Sequence, residues 1–134
     1  MSRFVTDTHA LLWYLSRDPS LSDAARDAFR LADNGQAQIF IPTIVLVEVI
    51  YLTERQRVPS DRIDRIASLF SMPGSHYHAV ALDSQVVQSM RRIPRDSVPD
   101  MPDRIIAATA LFLGLPLISR DRRIAQMGLV QAVW

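Results

Sequence analysis

Two aspartates, Asp7 and Asp121, stand where a short apolar strand pattern gives way to a helical pattern. In a parallel α/β sheet, ligands bind outside the carboxyl ends of the strands, so acids at these positions are candidates for a common site. Each aspartate taken alone also has an ordinary explanation, because Asp is among the best residues for capping a helix N-terminus. The local sequence leaves both interpretations open.

Glu48 is harder to explain by local structure. It is one of only two glutamates in the chain, and it interrupts the apolar run IVLVEVIYL. A glutamate buried in such a run is costly unless it is paired or bound to a metal. If the segment is helical, an exposed stripe would explain Glu48 equally well.

Asp103 opens the helical pattern DRIIAATALFLG, which is apolar on nearly every face and is therefore predicted to be buried. Asp100, three residues earlier, is the predicted cap of this helix, with Pro102 in its first turn. Asp103 would then lie at the third helical position, where the helix dipole favours a negative charge. Helix capping accounts well for Asp100 alone, and less well for Asp100 and Asp103 together.

Taken together, these acids suggest a metal site. A cluster of three or four carboxylates repels itself and does not stay fully ionised without a cation. Sites rich in oxygen and lacking cysteine select hard ions such as Mg²⁺ or Mn²⁺. Such ions polarise phosphates and activate water for in-line attack. The candidate ligands are Asp7, Glu48, Asp103 and Asp121.

The composition is that of one globular domain spanning residues 1–134, with 49% hydrophobic and 22% charged residues. No apolar run approaches the roughly 18 residues of a membrane span, and the N-terminus lacks the pattern of a signal peptide. With no cysteine in the chain, a cytoplasmic location is expected. The net charge of +1 does not by itself indicate a nucleic-acid partner.

All 15 basic residues are arginine. The absence of lysine excludes Schiff-base chemistry, a phosphate-binding P-loop and a Ser-Lys dyad. Arginine suits phosphate recognition, although a GC-rich genome would produce the same bias without any function.

Strand and helix patterns alternate along the chain, which predicts βαβ units and a parallel sheet covered on both faces. Residues 43–57 are ambiguous, because their β-branched content favours a strand while their length and a cap at Thr43 favour a helix, which we predict. The predicted strands are 3–7, 38–42, 78–82 and 115–119, with a weaker pattern at 129–133. The other predicted helices are 8–16, 23–34, 60–71, 83–92, 103–114 and 121–128.

The chain resembles the PIN-domain proteins, and within them the VapC-like toxins of type II toxin–antitoxin systems. The resemblance rests on DTHALLW at 7–13, Glu48, DRIIAATA at 103–110 and PLISRD at 116–121. It implies a three-layer α/β/α sandwich around a central, mostly parallel sheet. It also implies that the four acids named above bind Mg²⁺ or Mn²⁺.

The activity implied by the resemblance is a metal-dependent endoribonuclease that cleaves RNA by metal-activated water and is controlled by a cognate antitoxin. A homodimer without membrane contact is expected. The resemblance makes Ser119 a residue that orients a ligand or water, with Thr8 and Asp100 as weaker candidates for that role.

The arginines beside the acids are candidates for phosphate contacts, with a solvated surface as the alternative. They are Arg104, Arg120, Arg122 and Arg123. His9 follows a helical pattern and is interpreted as a packed or surface histidine rather than a general base. Trp13, Tyr14 and Tyr51 fit either a partner surface or the core.

Three other functions fit parts of this sequence pattern. A catalytically inactive PIN-like scaffold that binds RNA or protein is the main alternative, and the four intact acids argue against it. A phosphoacceptor receiver domain needs a lysine near its last strand, and this chain has none. A phosphatase with an aspartate nucleophile shows a D-x-D pattern, whereas His9 occupies the second acid position here.

Overall fold

The computed structural model describes all 134 residues, and one or two helices separate every pair of consecutive strands. The strands are β1 (Ser2–Thr6), β2 (Ala37–Pro42), β3 (Tyr77–Val80), β4 (Leu117–Ile118) and β5 (Ala132–Val133). The helices are α1 (Thr8–Leu15), α2 (Asp23–Asp33), α3 (Thr43–Glu54), α4 (Arg62–Ser71), α5 (Ser84–Ser89), α6 (Met101–Leu113) and α7 (Arg122–Met127). A 3₁₀ turn at Met90–Arg92 follows α5.

The five strands form one sheet in the order β3-β2-β1-β4-β5, and every pair is parallel. This confirms the predicted three-layer α/β/α fold. The first two crossover connections add β2 and then β3 on one side of β1. The third connection places β4 on the other side of β1. Strand order therefore reverses between β1 and β4, and a ligand crevice forms at the carboxyl ends of strands at such a reversal.

Helix α6 runs through the core of the molecule. Its six consecutive residues 105–110 are all buried, which confirms the burial predicted from its apolar faces. The helix ends at Gly114, whose φ of 67° is a left-handed conformation that glycine adopts without a steric penalty. The first turn of α6, which carries Asp103, continues directly into the buried section at 105–110.

The helix predicted at 43–57 is confirmed as α3, but the predicted cap at Thr43 is wrong. Pro42 occupies the N-cap position, and Thr43 is the first helical residue. The Thr43 hydroxyl instead accepts a hydrogen bond from the backbone N–H of Leu82 at 3.2 Å. Residue 82 thus bonds outside the sheet, and β3 ends at Val80 rather than at 82.

Smaller differences concern the ends of elements. Strand β1 ends one residue early, because Asp7 serves as the cap of α1. Helix α4 begins at Arg62 rather than at 60, after a turn in which the Arg62 N–H bonds the carbonyl of Pro59. Strand β4 has two residues where five were predicted, and β5 also has two. None of the helices is long and apolar enough to cross a bilayer.

Candidate active site

Asp7 lies at the point where the carboxyl ends of β1 and β4 meet. Its N–H donates to the carbonyl of Ile118 at 3.1 Å, and its Oδ1 accepts from the N–H of Ala10 at 2.9 Å. The residue is therefore a helix cap, as the local sequence suggested, and also a side chain at the strand-order reversal. Burial raises the pKa of Asp7, although hydrogen bonds from Ser119 and Ala10 act against this.

Ser119 connects Asp7 to Asp121. It is 1% exposed, its Oγ accepts from the backbone N–H of Asp121 at 3.1 Å, and its hydroxyl lowers the pKa of the neighbouring Asp7 carboxyl. Asp121 caps α7, with Oδ1 accepting from the N–H of Arg123 at 2.8 Å. The charge of Asp121 also raises the pKa of Asp7. One buried hydroxyl thus lies between the Asp7 carboxyl and the backbone of Asp121, at neighbouring strand ends.

Glu48 is half-buried, so the interpretation that placed it on an exposed stripe is wrong. The hydroxyl of Thr8, which is 2% exposed, donates to Glu48 Oε1 at 2.5 Å. Burial raises the pKa of Glu48; the Thr8 hydrogen bond lowers it, and the charges of Asp100 and Asp7 raise it. Thr8 therefore fixes this carboxylate beside the start of α1.

Asp100 caps α6, as predicted, and its Oδ2 accepts from the N–H of Asp103 at 3.2 Å. Burial, together with the charges of Asp100, Glu48 and Asp121, raises the pKa of Asp103 to about 7. These interactions place carboxylates from α3, α6 and the start of α7 within electrostatic reach of one another.

Three of the four predicted ligands face one groove of about 310 Å³, which we call the acid groove. Glu48 does not line this groove, and its carboxylate is bound by the hydroxyl of Thr8. The groove is lined by Asp7, His9, Ala10, Trp13, Asp103, Arg120, Asp121 and Trp134.

The donor chemistry of these acids fits a hard divalent ion. All four offer carboxylate oxygens, there is no thiolate, and burial together with mutual repulsion raises the pKa of three of them. No three acidic or histidine side chains converge closely enough, as they are oriented, to coordinate one ion together. The residues supply suitable atoms in an open arrangement, and their role as metal ligands stays a prediction.

The side chain of Arg104 binds backbone carbonyl groups of the protein itself, which the sequence did not reveal. Its Nε donates to the carbonyl of Ile93 at 3.1 Å, and its Nη2 donates to the carbonyls of Ile93 and Met90 at 2.8 and 3.0 Å. The side chain thus anchors the segment before α6. A contact of Arg104 with substrate stays a prediction.

Sequence reasoning missed the aromatic side of the acid groove. His9 and Trp13 are one turn apart on α1, with ring centroids 5.7 Å apart, and Trp134 lies 5.8 Å from Trp13. The i, i+4 spacing of His9 and Trp13 was visible in the sequence. Nothing local indicated that residue 134 returns to residue 13.

A second groove of about 570 Å³ is the largest in the molecule and carries four arginines, so we call it the arginine groove. Its one acid, Asp33, accepts hydrogen bonds from the hydroxyls of Tyr14 and Tyr77, the latter at 2.7 Å. The arginines are Arg17, Arg26, Arg30 and Arg65.

Comparison with known proteins identifies similar chains. The family model of the PIN domain matches residues 4–129. Ribonuclease VapC22 of Mycobacterium tuberculosis is 27% identical over 124 residues, which cover 92% of this chain and 91% of that protein.

Two solved structures have a similar fold. DNA-bound VapBC from Salmonella typhimurium has a TM-score of 0.72 at 20% identity, over 98% of this chain and 97% of that chain. A toxin–antitoxin complex from Klebsiella pneumoniae has a TM-score of 0.59 at 21% identity, over 93% and 90% of the two chains.

Proposed function

Because the chain belongs to the PIN-domain family, we propose that it is a metal-dependent endoribonuclease and the toxin of a toxin–antitoxin pair. The similarity to a protein named as a ribonuclease supports the reaction class. The similarity to solved toxin–antitoxin complexes supports the pairing with an antitoxin. A cytoplasmic location follows from an intracellular RNA target and is part of the same proposal.

The observation that carries the proposal is the gathering of carboxylates at the strand-order reversal. Desolvation and mutual repulsion raise the pKa of Asp7, Glu48 and Asp103, which is unfavourable for the folded chain unless a cation balances the charge. Perturbed acids in a cleft are typical of functional sites.

We assign Asp7, Glu48, Asp103 and Asp121 as the metal ligands. The chemistry that Mg²⁺ or Mn²⁺ supplies when bound is neutralisation of these charges and polarisation of a phosphate ester toward attack by water. The protein's own contribution is to hold the ligands in place. The N–H of Ala10 restrains the Asp7 carboxylate, the hydroxyl of Thr8 restrains Glu48, and the buried Ser119 holds the backbone N–H of Asp121.

The test of this function is Asp103→Asn, which keeps the shape of the side chain and removes its charge. We expect RNA cleavage with Mg²⁺ or Mn²⁺ to fall by at least about 100-fold, since even residues that only orient metal ligands cost 10- to 100-fold. The circular dichroism spectrum should be unchanged, and growth arrest on expression should be lost.

The matched control is Asp27→Asn, an exposed aspartate on α2 that makes the same change of charge far from the acid groove. It should cleave like the wild type. Cleavage that persists in Asp103→Asn would assign the activity to another site or to a contaminating nuclease, and would favour the inactive scaffold.

The proposed partners are RNA, a cognate antitoxin and a second copy of the chain. A small neighbouring gene that encodes a DNA-binding segment and a tail would support the pairing. Coexpression of its product should suppress cleavage by the wild type, and size-exclusion chromatography with light scattering should give twice the monomer mass of 15.1 kDa.

A further inference from the structure

One side of the acid groove is formed by His9, Trp13, Arg120 and Trp134, which we call the aromatic wall. The Arg120 guanidinium carbon lies 4.8 Å from the centroid of the Trp13 ring, within the range of a cation–π contact. Trp134 meets Trp13 at an interplanar angle of 60°, so the two rings are tilted and not stacked face to face. The wall combines a fixed cation with aromatic surface.

Arg120 makes no ion pair, although three aspartates share its groove. The ion pairs of the chain are Arg26–Asp23 and Arg62–Asp61, and neither lies near this site. Arg120 is exposed, and its position is set by the ring beneath it rather than by a carboxylate. Its planar fork therefore remains able to bind an anion beside the acids, and phosphate is an anion that this geometry suits.

We propose that the aromatic wall is a nucleotide subsite: Arg120 pairs with a backbone phosphate of the RNA, and the Trp134 ring stacks against a base. The proposal rests on the proposed function and names how the substrate is held. Bases stack on aromatic rings with little dependence on sequence, so this subsite fixes where the RNA lies rather than which base is chosen.

The charge pattern of the groove supports a nucleic acid strand over an acidic peptide. Asp7, Asp103 and Asp121 repel every anion, so a phosphate that approaches them needs a cation at its side. Arg120 is the one arginine in the lining of this groove, and no carboxylate pairs with it. A peptide carboxylate would use Arg120 in the same way but gives no base to stack.

The two tryptophans of the chain both lie in the wall, so the intrinsic fluorescence of the intact protein reports on it. We would titrate the Asp103→Asn protein with a short single-stranded oligoribonucleotide and with an abasic strand of the same length. We expect the normal strand to quench the fluorescence and the abasic strand to bind with little quenching.

Substitutions separate the two contacts. Arg120→Gln should weaken binding of both strands about tenfold, because it removes a charged hydrogen bond. Trp134→Ala should weaken only the normal strand, by roughly 5- to 100-fold, and Trp134→Phe should restore most of that loss since it keeps an aromatic face. The control is Arg55→Gln, an exposed arginine at the end of α3 that does not line the groove and should change binding less than twofold.

The outcomes separate this subsite from the proposed function. If the wild type cleaves RNA while Arg120→Gln and Arg55→Gln behave alike and the abasic strand quenches equally, the subsite is wrong and the nuclease stands. If the wild type does not cleave but base-dependent quenching appears, the wall is supported and the chemistry is overturned. If RNA neither binds nor is cleaved, both are wrong.

Discussion

The two grooves place aspartate side chains in opposite electrostatic environments. In the arginine groove, Asp33 is exposed and accepts hydrogen bonds from two tyrosine hydroxyl groups. Burial of the tyrosines, together with this carboxylate, raises the pKa of Tyr14 and Tyr77. In the acid groove, Asp7 and Asp103 lie near other carboxylates, and burial together with those charges raises the pKa of Asp7 and Asp103 themselves. One groove satisfies its acid, whereas the other leaves its acids in mutual repulsion.

The difference teaches that cavity size does not mark the chemistry. The arginine groove is larger, at about 570 Å³ against about 310 Å³, yet its acid is engaged by hydrogen bonds that hold α1, α2 and β3 together. The acid groove has the less favourable electrostatics. Groups held at such a cost are typical of function rather than of stability.

Among the substitutions that test this comparison of the two grooves, we expect the largest effect for Glu48→Gln. RNA cleavage should fall at least about 100-fold, because the variant removes a charge from the ligand set and keeps its shape. The control is Glu54→Gln, the other glutamate, which lies exposed at the end of the same helix. Equal activity of both variants in a gel-based cleavage assay would remove Glu48 from the site.

Thr8→Val tests whether the hydrogen bond to Glu48 matters for activity. We expect cleavage and Mn²⁺ affinity to fall roughly 10- to 100-fold, because the Glu48 carboxylate loses the donor that orients it. Thr8→Ser should restore both, since it keeps the hydroxyl. Calorimetric titration with Mn²⁺ measures the affinity, and a valine variant that binds and cleaves like the wild type would contradict the assignment.

Tyr77→Phe tests the arginine groove, where the bonds to Asp33 are expected to serve stability rather than cleavage. The variant removes the hydrogen bond from a buried phenol to Asp33, and we expect the free energy of unfolding to fall by about 1.5 kcal/mol. Cleavage should stay within twofold of the wild type. Urea denaturation measures the loss against Tyr51→Phe, whose ring is 58% exposed and should give no change.

The smallest effect concerns the pH dependence of stability in metal-free protein. The pKa of Asp103 is about 7 in the folded chain against 3.8 as its ordinary value, so between these values the folded state keeps a proton that the unfolded chain has lost. Stability therefore falls as pH rises through this window. Asp103→Asn should remove that fall and stabilise the chain at pH 8 by about 1 kcal/mol, a value reduced for solvent screening of a half-exposed group.

Denaturation in EDTA at pH 4.5 and pH 8 measures this effect. The gain should be present at pH 8 and nearly absent at pH 4.5, where the folded carboxyl is already neutral. Asp27→Asn should give no pH-dependent difference. A gain of the same size at both pH values would mean that Asp103 acts on stability through packing and not through its charge.

The sequence predicted features that depend on neighbours along the chain. The caps Asp100 and Asp121 were readable because a capping carboxylate bonds an N–H two or three residues away. The burial of α6 was readable because all its faces are apolar. Strand ends were less accurate, as at the end of β3, because the N–H of Leu82 bonds the hydroxyl of Thr43, 39 positions earlier in the chain.

The sequence by itself thus determined the alternation of elements, the caps and the presence of oxygen donors without thiolates. The tertiary structure decided which of those donors share a space. The pairing of β1 with β4 joins Asp7 to Ser119 across more than a hundred residues, and the return of Trp134 to Trp13 builds the aromatic wall. These arrangements follow from long-range packing, and burial then raises the pKa of Asp7, Glu48 and Asp103 by amounts that no local pattern encodes.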